Sequence, residues 1–273
     1  MDYANHKVTT MCDCQSTRGF TRREALGTAL VVGSAIALGG AISIQADAAT
    51  GPAVPAVEVL PGLSIYPRDA WGMDLPPVAP IEVETPQFLL VHHSASSNSY
   101  TSAANVIQAA YAFHTSSAKG WADVCYEFFI GRDGDVWEGR AGALTGPVVA
   151  DATGGSQGFA QLICLLGDFT SQLPTEAAQA SLVNLLAWLA DRYSIDLSAG
   201  ATTTFVSRGS QRWPAGTPVT TETISGHREM SFTACPGDAF YPMLPEVRVR
   251  ALAQHDAWRT TLKPARRLGI VTP

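Results

Sequence analysis

Along this chain, the spacing of apolar residues switches between strand and helix periods. Gln87-Phe88-Leu89-Leu90-Val91 is a short apolar run of the kind that forms a buried strand. From Ser102 to about His114, the residues Val106, Ile107, Ala110, Tyr111 and His114 recur at helical spacing, with Thr101 or Ser102 as the cap. Val124 to Ile130 is rich in Phe, Tyr and Val and predicts a strand. Asp133-Gly134 is a hairpin signal, and Val136 to Glu138 is the return strand. Gly142 to Gly158 reads as a glycine-rich loop, and Ala160 to Leu166 as a second buried strand. Pro174 precedes a helix from about Thr175 to Tyr193, with Leu182, Leu185, Leu186 and Leu189 on one face. Asp196 to Thr217 reads as a long excursion that turns at Pro214-Ala215-Gly216, followed by a strand over Thr221 to Ser225. Ala239 to about Leu262 predicts one or two last helices, interrupted near the start by Pro242 and Pro245. Strands alternating with helices predict an α/β fold, with a central mixed β-sheet flanked by helices in a single domain over residues 65–250. Residues 251–273 read as the helix end and tail, and 49–64, rich in Pro and Ala with few charges, as an extended leader. Four prolines between Met73 and Pro86 exclude a helix there.

Composition changes this picture mainly at the N-terminus. The 273 residues are 46% hydrophobic, ample for one core, and the net charge of -6 offers no basic surface for nucleic acid. Thr21-Arg22-Arg23 leads into an uncharged Ala/Gly/Val run ending near Gln45, and Ala46-Asp47-Ala48 supplies small residues at a cleavage site. Residues 1–48 therefore read as an export signal, with the paired arginines pointing to the twin-arginine (Tat) route. The competing reading is a membrane anchor, which the weak hydrophobicity of Ala and Gly disfavours. Removal of the segment leaves no membrane span and directs the protein to an extracytoplasmic, cell-wall location. Cys125, Cys164 and Cys235 remain after it. If Cys235 binds a metal, Cys125 and Cys164 either pair or stay buried as thiols.

The candidate chemistry lies in residues far apart in sequence: His92 in Val91-His92-His93-Ser94, and His227 and Cys235 in the stretch from Gly226 to Gly237. Neutral imidazole and thiolate are ligands that zinc prefers, and three of them leave a fourth position for water. Taken singly, each residue has a plainer reading, since a lone His on an apolar strand or a lone Cys is more often a packed core residue.

In combination, the motifs are more specific. Val-His-His-Ser, then Trp121-Ala122-Asp123-Val124-Cys125-Tyr126-Glu127-Phe128-Phe129-Ile130 running on through Glu138-Gly139-Arg140, then Gly226-His227 through Thr233-Ala234-Cys235-Pro236-Gly237, follow one another in order. The chain thereby resembles the zinc-dependent N-acetylmuramoyl-L-alanine amidases of the type-2 family, which includes the peptidoglycan recognition proteins. The resemblance covers about residues 65–250. It implies His92, His227 and Cys235 as the ligands of a Zn2+ ion, Tyr126 as the tyrosine that assists catalysis, and Thr233 as a residue facing the substrate carbonyl. It also implies peptidoglycan muropeptide as the partner, and a monomer is the expected state. The expected reaction is zinc-assisted hydrolysis of the amide between the lactyl group of N-acetylmuramic acid and L-alanine.

Substrate contacts are expected from His93, His114 and Gln157, with packing as the plainer role of the two histidines. Asp133-Gly134 is most simply a turn and Trp121 a core residue, while Glu138 and Arg140 line the cleft wall or form a buried ion pair. One departure stands out. Family members usually carry a Gly-Ala-His block and then an Asn after the hairpin, where this chain reads Ala150-Asp151-Ala152 and then Gln157. Ala152 thus stands at the His position and Gln157 at the Asn position. The alternative to an enzyme is accordingly a recognition module that holds muropeptide without cutting it, and a further alternative is a zinc peptidase on the same scaffold.

Overall fold

The computed structural model describes residues 54–154, 156 and 158–267. Gln157 lies outside the described residues, as do 1–53, where the export-signal reading falls. In chain order the elements are β1 (Val57–Leu60), β2 (Leu63–Tyr66), α1 (Asp69–Gly72), β3 (Phe88–His93), α2 (Ala103–Thr115), β4 (Phe128–Ile130) and β5 (Val136–Glu138). β6 (Ala160–Leu165), α3 (Glu176–Tyr193), β7 (Thr202–Val206), β8 (Pro218–Glu222), β9 (Ile224–Gly226) and α4 (Leu244–Arg267) complete the fold. Among the described residues, seven strands form the central sheet in the order β1-β2-β5-β4-β6-β3-β9, and β7 and β8 pair separately. β3 runs parallel to both β6 and β9, whereas β4 and β5 are antiparallel, so the sheet is mixed. No helix of the described residues is long and apolar enough to cross a membrane.

Side-chain alternation divides the core into two layers. Leu89 and Val91 of β3, Phe128 and Ile130 of β4, and Ile163 and Leu165 of β6 pack under α3 and α4. Phe88, Leu90, Phe129, Leu162 and Cys164 face the opposite way, against α1 and α2. Being buried on both faces, the central strands read as continuous apolar runs instead of alternating ones.

Several expectations change. Residues 57–64, read as part of an extended leader, form the β1–β2 hairpin together with Ile65 and Tyr66, and β2 joins the sheet by pairing Ile65 with Val136. Leu63 and Ile65 supply the buried face that a leader would lack. The excursion after Asp196 contains β7, paired with β8 through Thr203↔Thr221 and Phe205↔Val219. Its threonine-rich exposed face hides the strand period. The single strand expected over Thr221 to Ser225 breaks at Thr223, so that β8 belongs to the ribbon and β9 to the main sheet. α4 runs to Arg267. The strand expected from Val124 begins only at Phe128.

Candidate metal centre

β3 delivers His92 and His93 at its C-terminal end, between the parallel strands β6 and β9. β9 stops at Gly226, and His227 opens a short 3-10 turn through Glu229. Gly226 sits in a tight place: a Cβ there would meet Pro236 at 3.0 Å and Tyr241 at 3.1 Å, so these neighbours would have to shift by a few tenths of an ångström. Its bareness lets the segment carrying Cys235 close over the end of β9. Glu229 pins the turn, accepting the Gly226 N–H at 2.6 Å and the Tyr241 hydroxyl at 2.6 Å. Arg228 N donates to Cys235 O at 3.1 Å, and the Arg228 side chain pairs with Asp238 at 2.9 Å.

One ligand atom from each of His92, His227 and Cys235 lies within 4.8 Å of the others, and all three residues are buried. The His92 and His227 rings are 4.3 Å apart. Cys235 Sγ lies 3.6 Å from His92 Nδ1 and accepts the His93 N–H at 3.3 Å, a contact that favours a thiolate. Two imidazoles and one thiol without a carboxylate are a donor set suited to zinc, and three such ligands leave one position of a tetrahedral ion for water.

Tyr126 is buried with its ring 5.0 Å from that of His92. Thr233 is half-buried, and its Oγ1 accepts the Cys235 N–H at 3.2 Å. His93 and His114 keep their rings away from solvent. His93 Nδ1 accepts the Phe169 N–H at 3.2 Å, and the His114 ring packs 5.0 Å from Trp121 and 5.9 Å from Tyr126. Ala152 is buried in the core layer beneath α2. Glu138 and Arg140 do not pair with each other. Arg140 pairs with Asp151 at 2.6 Å, and Glu138 accepts the Arg68 and Leu144 N–H groups. Cys125, Cys164 and Cys235 form no disulfide.

The stretch that carries Tyr126 lies outside β4 and is held by side chains and by backbone bonds from Gly139 and Arg140. Asp123 accepts from Arg68 Nη2, Val124 N and Ala141 N. Arg140 N donates to Tyr126 O at 2.9 Å, and a Cβ on Gly139 would stand 2.4 Å from that same oxygen. Glu127 accepts the Leu162 N–H at 2.8 Å, so its carboxylate takes the place of a ladder carbonyl. Burial pushes the Glu127 pKa up to about 8, against the lowering effect of the Leu162 hydrogen bond and of Arg140. Sequence reasoning missed Glu127, Glu229, Tyr241 and Asp123. Glu229 accepts the Gly226 N–H as the carboxylate half of a capping box does, but glycine has no side chain to complete one, so the sequence carried no such signature.

Residues 82–238, more than half of the chain, match the family described as N-acetylmuramoyl-L-alanine amidase. An N-acetylmuramoyl-L-alanine amidase of Sus scrofa is 29% identical over 218 residues, covering 77% of this chain and 32% of that protein. The Homo sapiens N-acetylmuramoyl-L-alanine amidase is 30% identical over 187 residues, covering 66% of this chain and 28% of that protein. The chain therefore spans about a third of the length of these relatives or less. The crystal structure of peptidoglycan recognition protein-LE in complex with tracheal cytotoxin superposes with a TM-score of 0.51 at 23% identity, over 67% of this chain and 92% of that one. That likeness concerns the fold.

Proposed function

The chain belongs to the N-acetylmuramoyl-L-alanine amidase family, and on that premise we propose that it hydrolyses the amide between N-acetylmuramic acid and L-alanine in peptidoglycan. The buried His92–His227–Cys235 group carries this reading. These three side chains would hold Zn2+, which when bound supplies Lewis acidity and brings the pKa of a water down to ~7. Burial of the three ligands keeps bulk water from competing for the site and strengthens every charge interaction in it. Thr233, oriented by the Cys235 N–H, is assigned to donate its hydroxyl hydrogen to the carbonyl oxygen of the scissile amide. Tyr126, next to His92, is assigned to hold and pass the proton that the departing L-alanine amine requires. Export through the twin-arginine segment belongs to the same proposal, since the substrate is a wall polymer.

The burial of Ala152, at a position where the family usually has a groove histidine, favours one other reading, a module that binds muropeptide without cutting it. Mass spectrometry of muropeptides incubated with the protein, beside Cys235→Ser and a chelated control, separates the two. The amidase releases stem peptide with a free L-alanine amine, and both controls abolish that product. Intact muropeptide in the presence of zinc-loaded protein would put the binding module ahead.

A further inference from the structure

His114 and Cys125 are both buried beside the candidate centre, and the mechanism above uses neither. They contact each other at two points. Cys125 N donates to His114 Nδ1 at 3.2 Å, and Cys125 Sγ lies 3.7 Å from His114 Nε2. A neutral imidazole that accepts at Nδ1 carries its proton on Nε2, so the second contact runs from N–H to sulfur. His114 is neutral at physiological pH, because burial, then Lys119 and Arg140, lower its pKa to about 3. Burial pushes the Cys125 thiol up and keeps it protonated, while a hydrogen bond to the Tyr126 side chain works in the opposite direction. Cys125 thus meets the imidazole through both its backbone and its sulfur, and the imidazole in turn packs on the Tyr126 ring.

The surroundings leave the phenol little freedom. The His114 and Tyr126 rings meet at 72°, and the Phe129 ring packs 5.5 Å from Tyr126 at 85°. The cavity bordered by His114, Tyr126, Ser94 and Phe129 measures about 10 Å³, at the lower limit for a single water. Tyr126 precedes β4, where the Arg140 N–H holds its backbone, and the direction of its side chain is left to the groups packed on it. We infer that the His114–Cys125 pair fixes the phenol of Tyr126, which makes both residues positioning residues for the amide cleavage. This inference rests on the proposed function for its catalytic meaning, but its geometric content can be read independently.

The test uses the zinc-loaded protein with Cys125→Ala, His114→Leu and His114→Asn, each also combined with Tyr126→Phe. Asn offers Oδ1 where His offers Nδ1, and Cys125→Ala leaves the backbone contact with His114 in place, so these two guard against a His114→Leu protein that does not fold. Cys125→Ala and His114→Leu are expected to lower kcat on muropeptide roughly ten- to hundredfold, with KM and zinc content little changed, as a misplaced catalytic group does. His114→Asn recovers part of the loss. With Tyr126→Phe the same substitutions cost nothing further, because the group that they position is gone. The second readout is the 19F NMR signal of Tyr126 in protein labelled with 3-fluorotyrosine, identified by its absence in Tyr126→Phe. It shifts in Cys125→Ala and His114→Leu and moves back towards native in His114→Asn. An unmoved signal in folded variants, or rate losses that multiply with Tyr126→Phe, would overturn the inference. If the unmodified protein cleaves no muropeptide, the amidase reading falls alone, and the fluorine shift still decides whether the pair positions Tyr126.

Discussion

Replacing Cys235 by serine exchanges a thiolate for a hydroxyl that stays protonated near neutral pH, and the soft member of the donor set is lost. Cys235→Ser is expected to give up its zinc on dialysis under conditions where the unmodified protein retains it, as metal analysis of the dialysed samples would show. Glu127 gives a second prediction. Its carboxyl ionises at about 8 in the folded protein against 4.5 as its ordinary value, so between those values the folded chain keeps a proton that the unfolded chain has released. Stability then falls as pH rises through that window and levels off above it. In Glu127→Gln this contribution vanishes. Thermal unfolding across that range should show the gap in Tm between variant and unmodified protein moving in favour of the variant as pH rises; a constant gap would refute the assignment. His92, His227 and Cys235, which the structure brings together, were singled out through the family resemblance, since each alone has a plainer reading. Glu127 was not, since a carboxylate inside Tyr-Glu-Phe-Phe gives no sign that it replaces a strand carbonyl.

Among the elements, α3 carries the largest share of one core layer, and its start is set by Thr175. The Thr175 hydroxyl accepts the Ala178 N–H at 3.1 Å and donates to the Arg132 carbonyl, so it caps the helix and ties it to the β4–β5 turn. Thr175→Ala is expected to cost about 1 kcal/mol of unfolding free energy, the usual worth of an N-cap, measured by urea denaturation. Leu182, fully buried on the same helix, sets a scale for comparison, and Leu182→Ala should cost roughly 2–5 kcal/mol. The helices and central strands could be read from their periods because they bury a whole face or both. β1, β2 and β7 could not. A hairpin of four-residue strands in a Pro- and Ala-rich stretch, and a ribbon whose exposed side is threonine, bury too few side chains for a period to emerge. The order of strands in the sheet was likewise not legible, because it is settled by contacts between residues far apart in the chain.

At the scale of the whole molecule, the two core layers close without help from the metal centre, which sits at one end of the sheet. Chelation should therefore lower Tm without unfolding the protein, by the amount that zinc binding adds, about 2.7 kcal/mol at a free concentration one hundred times Kd. Far-UV circular dichroism before and after chelation checks this, and collapse of the spectrum would show the ion to be a structural requirement. The placement of β9 has a consequence for how the chain comes to hold its metal. β3 emerges early in synthesis, yet its neighbour β9 and the two remaining ligands come more than a hundred residues later. Closing so long a segment costs entropy that only the completed sheet repays. A chain stalled on the ribosome before His227 has one ligand of the three to offer. On the proposed function, zinc would then be the seal on a finished molecule and not the seed around which it condenses.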